Sequence, residues 1–591
     1  MLEIISFSLM KFNLILGCML FALSACSDIL DSSELSTAFE NSGGKETATY
    51  EEGIAWWQKL EESSPYVCMQ AVGKTDAGLP LQMVVINAGK NFSREKVAQS
   101  GKTIWLINNG IHPGEPDGID ASMLFAREIL SRSDFEDRFA EMIILIIPFY
   151  NVGGALDRNC CSRSNQNGPE SYGFRGNARN LDLNRDFAKC DSKNAQTFNQ
   201  IFSAWDPDIY LETHVSNGAN YPYTMTYLST QADKLGKPLS DFMRAELNPA
   251  LFKGMADLGD EMIPYVNIHG DSPDSGFAAF NDSPRYSTGY AALHHSIGLL
   301  TETHMLKPFD QRVRSTERFL HVLADEIIEQ GNKIKSLRAQ AVEAAMSQTE
   351  FHLEWGIDSA QVSKLPFKGY KAYYDSSRVT GFPQLYYDEN QPWEKEINYF
   401  GAYKPNESVE APAYYLVPAA WPEVVDRLRW NGVQMDLIKK DTLMKLSAYE
   451  IVKEQTSKQP FEGHYLHYAT ETETQFWVKK LRANSYYLVK TNQLKKRFMV
   501  EMLEPSAPDS YFNWNFYDEI LQQKEWFSAY VFDQEAQQLL QDEGIKKSFE
   551  EMKKSDPSFT MSPMPQLYYL YKNSDHYERE HHMIYPVFRI E

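Results

Sequence analysis

Thr103–Leu130 reads TIWLINNGIHPGEPDGIDASMLFAREIL. Ile104 to Ile107 is an apolar run, the mark of a short buried strand. Asn, Gly and Pro then signal a turn. Beyond it Ile119, Met123, Ala126 and Leu130 recur at the spacing of one helical face. Between strand and helix sits His112-Pro-Gly-Glu115. Open α/β sheets bind ligands outside the carboxyl ends of their strands, and this motif lies at such an end. An imidazole and a carboxylate this close in sequence can both reach one divalent cation. Two ligands do not complete a site, so other parts of the chain must supply the rest.

Working outward, Tyr50–Glu61 has the pattern of an amphipathic helix, and Val67–Val72 and Leu81–Ile86 those of strands. Met142–Pro148, MIILIIP, is the continuous apolar run of a central strand covered on both faces. Asn151–Gly176 is loop-like, and loops of that length in compact domains are commonly functional. Asp208–Thr213 and Gly298–Thr303 read as further strands, and Val313–Gln348 as a long closing helix. Strands alternating with helices predict an α/β fold with a mixed, mostly parallel sheet flanked by helices, spanning residues 49–350. After Phe351 aromatic residues become dense. Ala413–Val417 reads as a strand, Pro422 opens a helix that Asn431-Gly432 ends, and Gln434–Ile438 is the expected returning strand. Residues 355–591 are expected to form a second, C-terminal α+β domain.

The chain of 591 residues is too long for one ordinary domain. Its net charge of −22, with no basic stripe, argues against nucleic acid as a partner. Residues 1–25 resemble a signal peptide: Lys11, an apolar run from Phe12, then Leu23-Ser24-Ala25-Cys26. The match is to a bacterial lipoprotein signal, which implies cleavage before Cys26, a lipid on that cysteine and a place in the bacterial cell envelope. The polar stretch over residues 26–48 then reads as a tether, with the membrane reached through the lipid anchor only. Cys68, Cys160, Cys161 and Cys190 remain for the exported protein. A bridge from Cys160 or Cys161 to Cys190 would close a loop and add roughly 3 kcal/mol, with buried free thiols as the alternative.

No G-x-S-x-G elbow or Ser-x-x-Lys pair is present, which moves weight to metal chemistry. Among the 13 histidines, His214 follows the strand DIYLET as His112 follows its own. Neighbouring strand ends of one parallel sheet open into one cleft. His112, Glu115 and His214, with a fourth position left to water, form a catalytic rather than structural zinc set. Zinc lowers the pKa of bound water from roughly 15.7 to roughly 7. Glu302 ends GLLTET, a third strand end, and is the candidate general base.

These residues resemble the zinc carboxypeptidases of the funnelin type. That family's H-x-x-E, later Asn-Arg, later His and last Glu are matched in order by His112-x-x-Glu115, Asn184-Arg185, His214 and Glu302. Arg175–Phe187, RGNARNLDLNRDF, is very like the family's stretch through its Asn-Arg pair, and the resemblance runs from about Tyr50 to Leu320. It implies one Zn²⁺ per chain and an oxyanion-holding role for Arg175, preferred over Arg179. It also implies that Asn184 and Arg185 grip a substrate's free C-terminal carboxylate, a bidentate charge-assisted contact. Tyr286, rather than Tyr290, matches the family's mobile tyrosine, and Arg285 beside it could meet a carboxylate. Asp186 departs from the Asn that many members carry there. The other histidines read as packing or surface groups.

The resulting expectation is a metallocarboxypeptidase acting on C-terminal peptide or related amide bonds. Two alternatives stand beside it: a peptidoglycan peptide amidase of the same zinc fold, and a non-catalytic binding lipoprotein of the envelope. The C-terminal domain could instead hold partners or glycans.

Overall fold

The computed structural model describes residues 35–591. The expected signal peptide and Cys26 lie outside the described residues. The first half is built on an eight-stranded sheet. Its strands fall within a series β1 (Val67–Lys74), β2 (Pro80–Ile86), β3 (Thr103–Asn108), β4 (Met142–Ile147), β5 (Ile209–Ser216), β6 (Met225–Ser229), β7 (Ile263–Pro264), β8 (Asn267–Ile268), β9 (Phe277–Ala278) and β10 (Ile297–His304). The spatial order is β1-β2-β4-β3-β5-β10-β6-β7. The central strands β4, β3, β5 and β10 run parallel, while β2 joins β4 and β6 joins β10 antiparallel. The mixed, mostly parallel sheet is therefore as the sequence predicts. Strands β3, β4 and β5 are buried throughout, which explains the continuous apolar runs of the first two.

Register places the chemistry. In the β5–β10 pair His214 lies opposite Glu302, and in the β3–β5 pair Asn108 lies opposite Glu212. The chain leaving β3 reaches His112 four residues past Asn108, above the same edge. The helix Asp117–Leu130 follows, and the 39-residue helix Phe309–Ser347 packs over it. The shorter helix is buried on nearly every side, because sheet and long helix cover opposite faces. Asp117 in its first turn is locked by Arg312, a fully buried arginine, at 2.9 Å.

Three expectations change. The stretch read as a tether is docked from Leu35 onward. Thr37 caps a short helix, Ala38–Asn41, and Glu40 forms a two-pronged pair with Arg127 at 2.7 and 2.5 Å. Leu35 and Phe39 are buried, and Thr47 bonds to Asp120. Polar composition hid this, since its few apolar residues suffice to anchor it. Second, the cysteine bridge joins Cys160 to Cys161, whereas Cys190 is a buried free thiol and Cys68 is also free. Third, Gln434–Ile438 contributes only Asp436–Leu437 as strand, and it pairs with Tyr486–Lys490 rather than with Tyr414–Pro418.

The C-terminal half is mixed α and β, but it is not packed separately. Strand Pro383–Phe400 pairs in parallel with β9 from the first half. One hydrophobic core runs from Leu106 and Tyr210 to Phe351, Tyr415, Phe498 and Phe512.

Gly118 gives a test of this packing. A Cβ there would overlap Thr213 Oγ1 and Asn109 Oδ1, which sit between the helix and β5. At an open helix site Gly→Ala stabilises by up to about 1 kcal/mol. Here Gly118→Ala is expected to destabilise by about 1–3 kcal/mol in denaturant titration, as overpacking does. A gain in stability would mean that helix and strand are not in close contact.

Candidate metal centre and substrate cleft

The turn after β3 is closed by the Glu115 N–H donating to His112 O at 2.8 Å, with Pro113 and Gly114 between. This puts both side chains on one side. His112 Nδ1 lies 3.3 Å from Glu115 Oε1, and His214 Nδ1 lies 3.1 Å from Glu115 Oε2. One ligand atom from each of the three residues falls within 4.8 Å of the others, and all three side chains are buried. The far nitrogens are held too: His112 Nε2 meets Asp182 Oδ1 at 3.0 Å and His214 Nε2 meets Glu212 Oε2 at 3.0 Å. A carboxylate on Nε2 fixes the ring and directs the Nδ1 lone pair inward, the usual support of a metal-bound histidine.

The residues fit a divalent cation on two further counts. His112 Nδ1 is buried and makes no hydrogen bond. The carboxylates of Glu115, Asp182, Glu212 and Glu302 gather here, so the cluster is rich in negative charge. Without a cation, protons and arginines carry that load. Burial pulls the His214 imidazole down, but hydrogen bonds to Glu115 and Glu212 outweigh it and push it up to about 10. Burial pushes Glu115 up, yet the neighbouring His112 and Arg163 hold it well below the usual carboxylate range. Burial likewise opposes ionisation of Asp182, and its contacts with His112 and Arg175 overcome it. Glu302 lacks such partners: burial and the Glu115 charge raise it against the pull of His214, to about 7.

All eight candidate residues of this site line one cavity of about 480 Å³: His112, Glu115, Arg175, Asn184, Arg185, His214, Tyr286 and Glu302. Arg175 Nη1 lies 3.2 Å from Glu115 Oε1, and its other nitrogens bind Asp182 Oδ2 at 2.9–3.0 Å. Arg179 points elsewhere, to the Asp191 carbonyl. Asn184 and Arg185 lie on a 3₁₀ turn that Asp182 caps, its carboxylate accepting the Asn184 N–H at 2.9 Å. Asn184 Oδ1 is buried with no partner. The Arg185 guanidinium lies 4.5 Å from the Tyr286 ring and makes no salt bridge among the described residues. Tyr290 is buried outside the cavity, bonded to Asn431 at 2.7 Å, so the geometry brings Tyr286 to the cleft and not Tyr290. Arg285 does meet a carboxylate, Asp509 at 2.8 Å.

Sequence reasoning missed three members. Arg163 donates to Glu115 at 2.7 Å and to Val215 O at 2.8 Å, from the long Cys- and Ser-rich loop where no pattern marks it. Asp182 and Glu212 hold the imidazoles. Glu212 was within reach of inference, because residues two apart on a strand share a face. His294, His295 and His304 are buried and pulled down, chiefly by that burial, away from the metal cluster.

Residues 53–243 match the family model for zinc carboxypeptidase, Peptidase_M14. Carboxypeptidase 2 of Trichophyton tonsurans is 24% identical over 459 residues, covering 74% of this chain and 78% of that protein. Its counterpart in Trichophyton rubrum is 23% identical over 476 residues, covering 77% and 81%. Among solved structures, a metallo-carboxypeptidase from Pseudomonas aeruginosa is 15% identical with a TM-score of 0.37, covering 49% of this chain and 70% of that one. One from Burkholderia cenocepacia is 13% identical with a TM-score of 0.36, covering 47% and 69%.

Two measurements check the centre. Glu212→Gln leaves His214 its packing but weakens its charged partner. Zinc affinity, read by competition with a chelator, is expected to fall about 10–100-fold; an unchanged affinity would show that Glu212 does not orient the ring. The second is pH. His214 in the metal-free fold is raised above its ordinary value of 6.5 to about 10. Its contribution to stability is therefore complete below about pH 6.5 and is lost as pH rises through about 10. Denaturation of the metal-free protein should show this loss on the alkaline side, and His214→Gln should flatten it.

Proposed function

We propose that this chain belongs to the zinc carboxypeptidase family whose model its residues 53–243 match, and that it removes C-terminal residues from peptides one at a time. The observation that carries the reading is a single cavity lined by two unlike groups. These are the His112–Glu115–His214 triad, and Asn184 with an Arg185 that makes no salt bridge among the described residues. When bound there, zinc polarises the scissile carbonyl and acidifies a water.

The protein's own groups do the rest. Asn184 and Arg185 receive the substrate's terminal carboxylate, a charge-assisted contact that an internal peptide bond cannot offer. Tyr286, stacked over the Arg185 guanidinium, shields that contact from water. Arg175 extends along Glu115 to where negative charge grows on the carbonyl oxygen. Glu302, opposite His214 in register, takes the proton of the attacking water and returns it to the leaving amine. Its raised pKa suits both transfers, and a cation in the triad draws it back toward the ordinary range by favouring the charged form. Leu228, Leu300 and Phe280 line part of the remaining wall and would suit a neutral C-terminal side chain. Export and a lipid anchor at Cys26 complete the proposal, supported by the Leu23-Ser24-Ala25-Cys26 sequence and tested by loss of membrane association in Cys26→Ser.

The decisive experiment compares free-acid and C-terminally amidated forms of one peptide with wild type and Glu302→Gln. Amidation is expected to reduce kcat/KM sharply, and Glu302→Gln to lower kcat by about 10²–10⁴ for the free acid. Equal rates on both forms would overturn the exopeptidase reading. Full activity in Glu302→Gln would remove Glu302 from the proton path.

A further inference from the structure

Asp182 is the hub of the cleft. Its carboxylate meets His112, Arg175 and the Asn184 N–H, so its position sets theirs. Its own backbone N–H is held by a distant residue: it donates to Glu462 Oε2 at 2.8 Å. Glu462 belongs to the C-terminal half, outside the stretch that matches the family.

The turn that presents Glu462 is unusual. Phe461 and His464 exchange both backbone hydrogen bonds, at 2.7 and 3.0 Å. Glu462 and Gly463 between them have φ of +48° and +86°. Two central residues at positive φ are the mark of a tight hairpin turn for which Asn-Gly or Asp-Gly is preferred. Glutamate in that first position bears the steric cost of the left-handed region. Local strain of this kind persists where surrounding structure demands it, and it clusters at functional sites. The turn geometry does not call for glutamate; the reach to Asp182 does.

The same turn also holds Asp191, the far end of the segment that begins at Asp182. His464 Nε2 lies 2.6 Å from Asp191 Oδ2, and Asp191 also binds Arg427 and Lys189 at 2.8 Å each. Arg285 lies over the rings of Trp514 and Phe461, at 4.9 and 5.7 Å, and Tyr286 beside it in sequence covers Arg185. The turn thus touches Asp182 through Glu462, and the Arg285 beside Tyr286 through Phe461.

We propose that the Phe461–His464 turn is a positioning device, in which Glu462 fixes Asp182 and, through it, Asn184 and Arg185. The C-terminal half thereby sets how firmly a substrate's terminal carboxylate is gripped. This inference rests on the carboxypeptidase reading.

The test uses the full-length, zinc-loaded protein and one peptide as free acid and as amide. Glu462→Asn suits the left-handed turn but is too short to reach Asp182, so its Tm should match or exceed wild type. Its KM for the free acid should rise about tenfold, the scale of one lost hydrogen bond to a charged group. Its kcat/KM for the amide should change little, so the preference for the free acid narrows. Glu462→Gln keeps an acceptor at the same reach and should restore most of the KM. His464→Phe, which keeps a ring between Trp514 and Phe516 but drops Asp191, should also narrow the preference and serves if Glu462→Asn does not fold. The proposal is overturned if these variants keep the wild-type preference, or if they slow free acid and amide alike. A wild type that cleaves neither peptide would instead defeat the carboxypeptidase reading itself.

Discussion

Two carboxylates, the partly exposed Asp182 and the buried Glu212, each hold the outer nitrogen of an imidazole, and the rest of the site follows from that constraint. A ring anchored at Nε2 can offer only Nδ1 to its other side. With His112 and His214 so anchored, both inner nitrogens face Glu115. Crowding acidic groups in a desolvated place is costly unless positive charge answers it. A protonated His214, Arg163 and Arg175 supply that charge in the metal-free fold. A dication answers the same need with one ion, which explains why the cluster is built for binding rather than for inert packing.

The sheet makes the convergence affordable in conformational terms. Parallel strands β3, β5 and β10 end at one edge, and their pairing fixes relative heights through backbone hydrogen bonds rather than through flexible side chains. Glu212 and His214 sit on the same face of β5, and Glu302 comes level with His214 from the next strand. Of the three metal-facing residues, His112 and Glu115 come from a turn, and that turn is closed by its own hydrogen bond. The long helix and Arg312 then hold the helix that follows, so the turn cannot drift.

How much of this was legible in the sequence depends on the range of the signal. The strands β3, β4, β5 and β10 are local apolar runs, and their chemistry-bearing residues stand at the ends of those runs. Fold class and the His112–Glu115–His214 cluster were therefore readable. The Cys160–Cys161 pairing was not, because spacing says nothing about which thiol is buried. The docking of Leu35–Thr47 was not, because two buried apolar residues and a Glu40–Arg127 pair leave no periodic trace. Arg163 was missed for the same reason: a loop residue is positioned by tertiary contacts alone.

How the two halves of the chain meet was the least legible feature. Composition shifts near residue 355, yet strand Pro383–Phe400 completes a sheet begun by β9, and one core crosses the boundary. Such pairings join residues far apart in sequence and cannot be seen in any window of it. A second half added only to bind partners would need no hand in the cleft. Here its side chains reach the segment Asp182–Asp191 at both ends, through Glu462 at one and His464 and Arg427 at the other. That segment alone carries both the anchor of a metal-facing imidazole and the Asn184–Arg185 pair. Rigidity at its two ends therefore steadies the stretch that bears Asn184 and Arg185, and the C-terminal half supplies that rigidity.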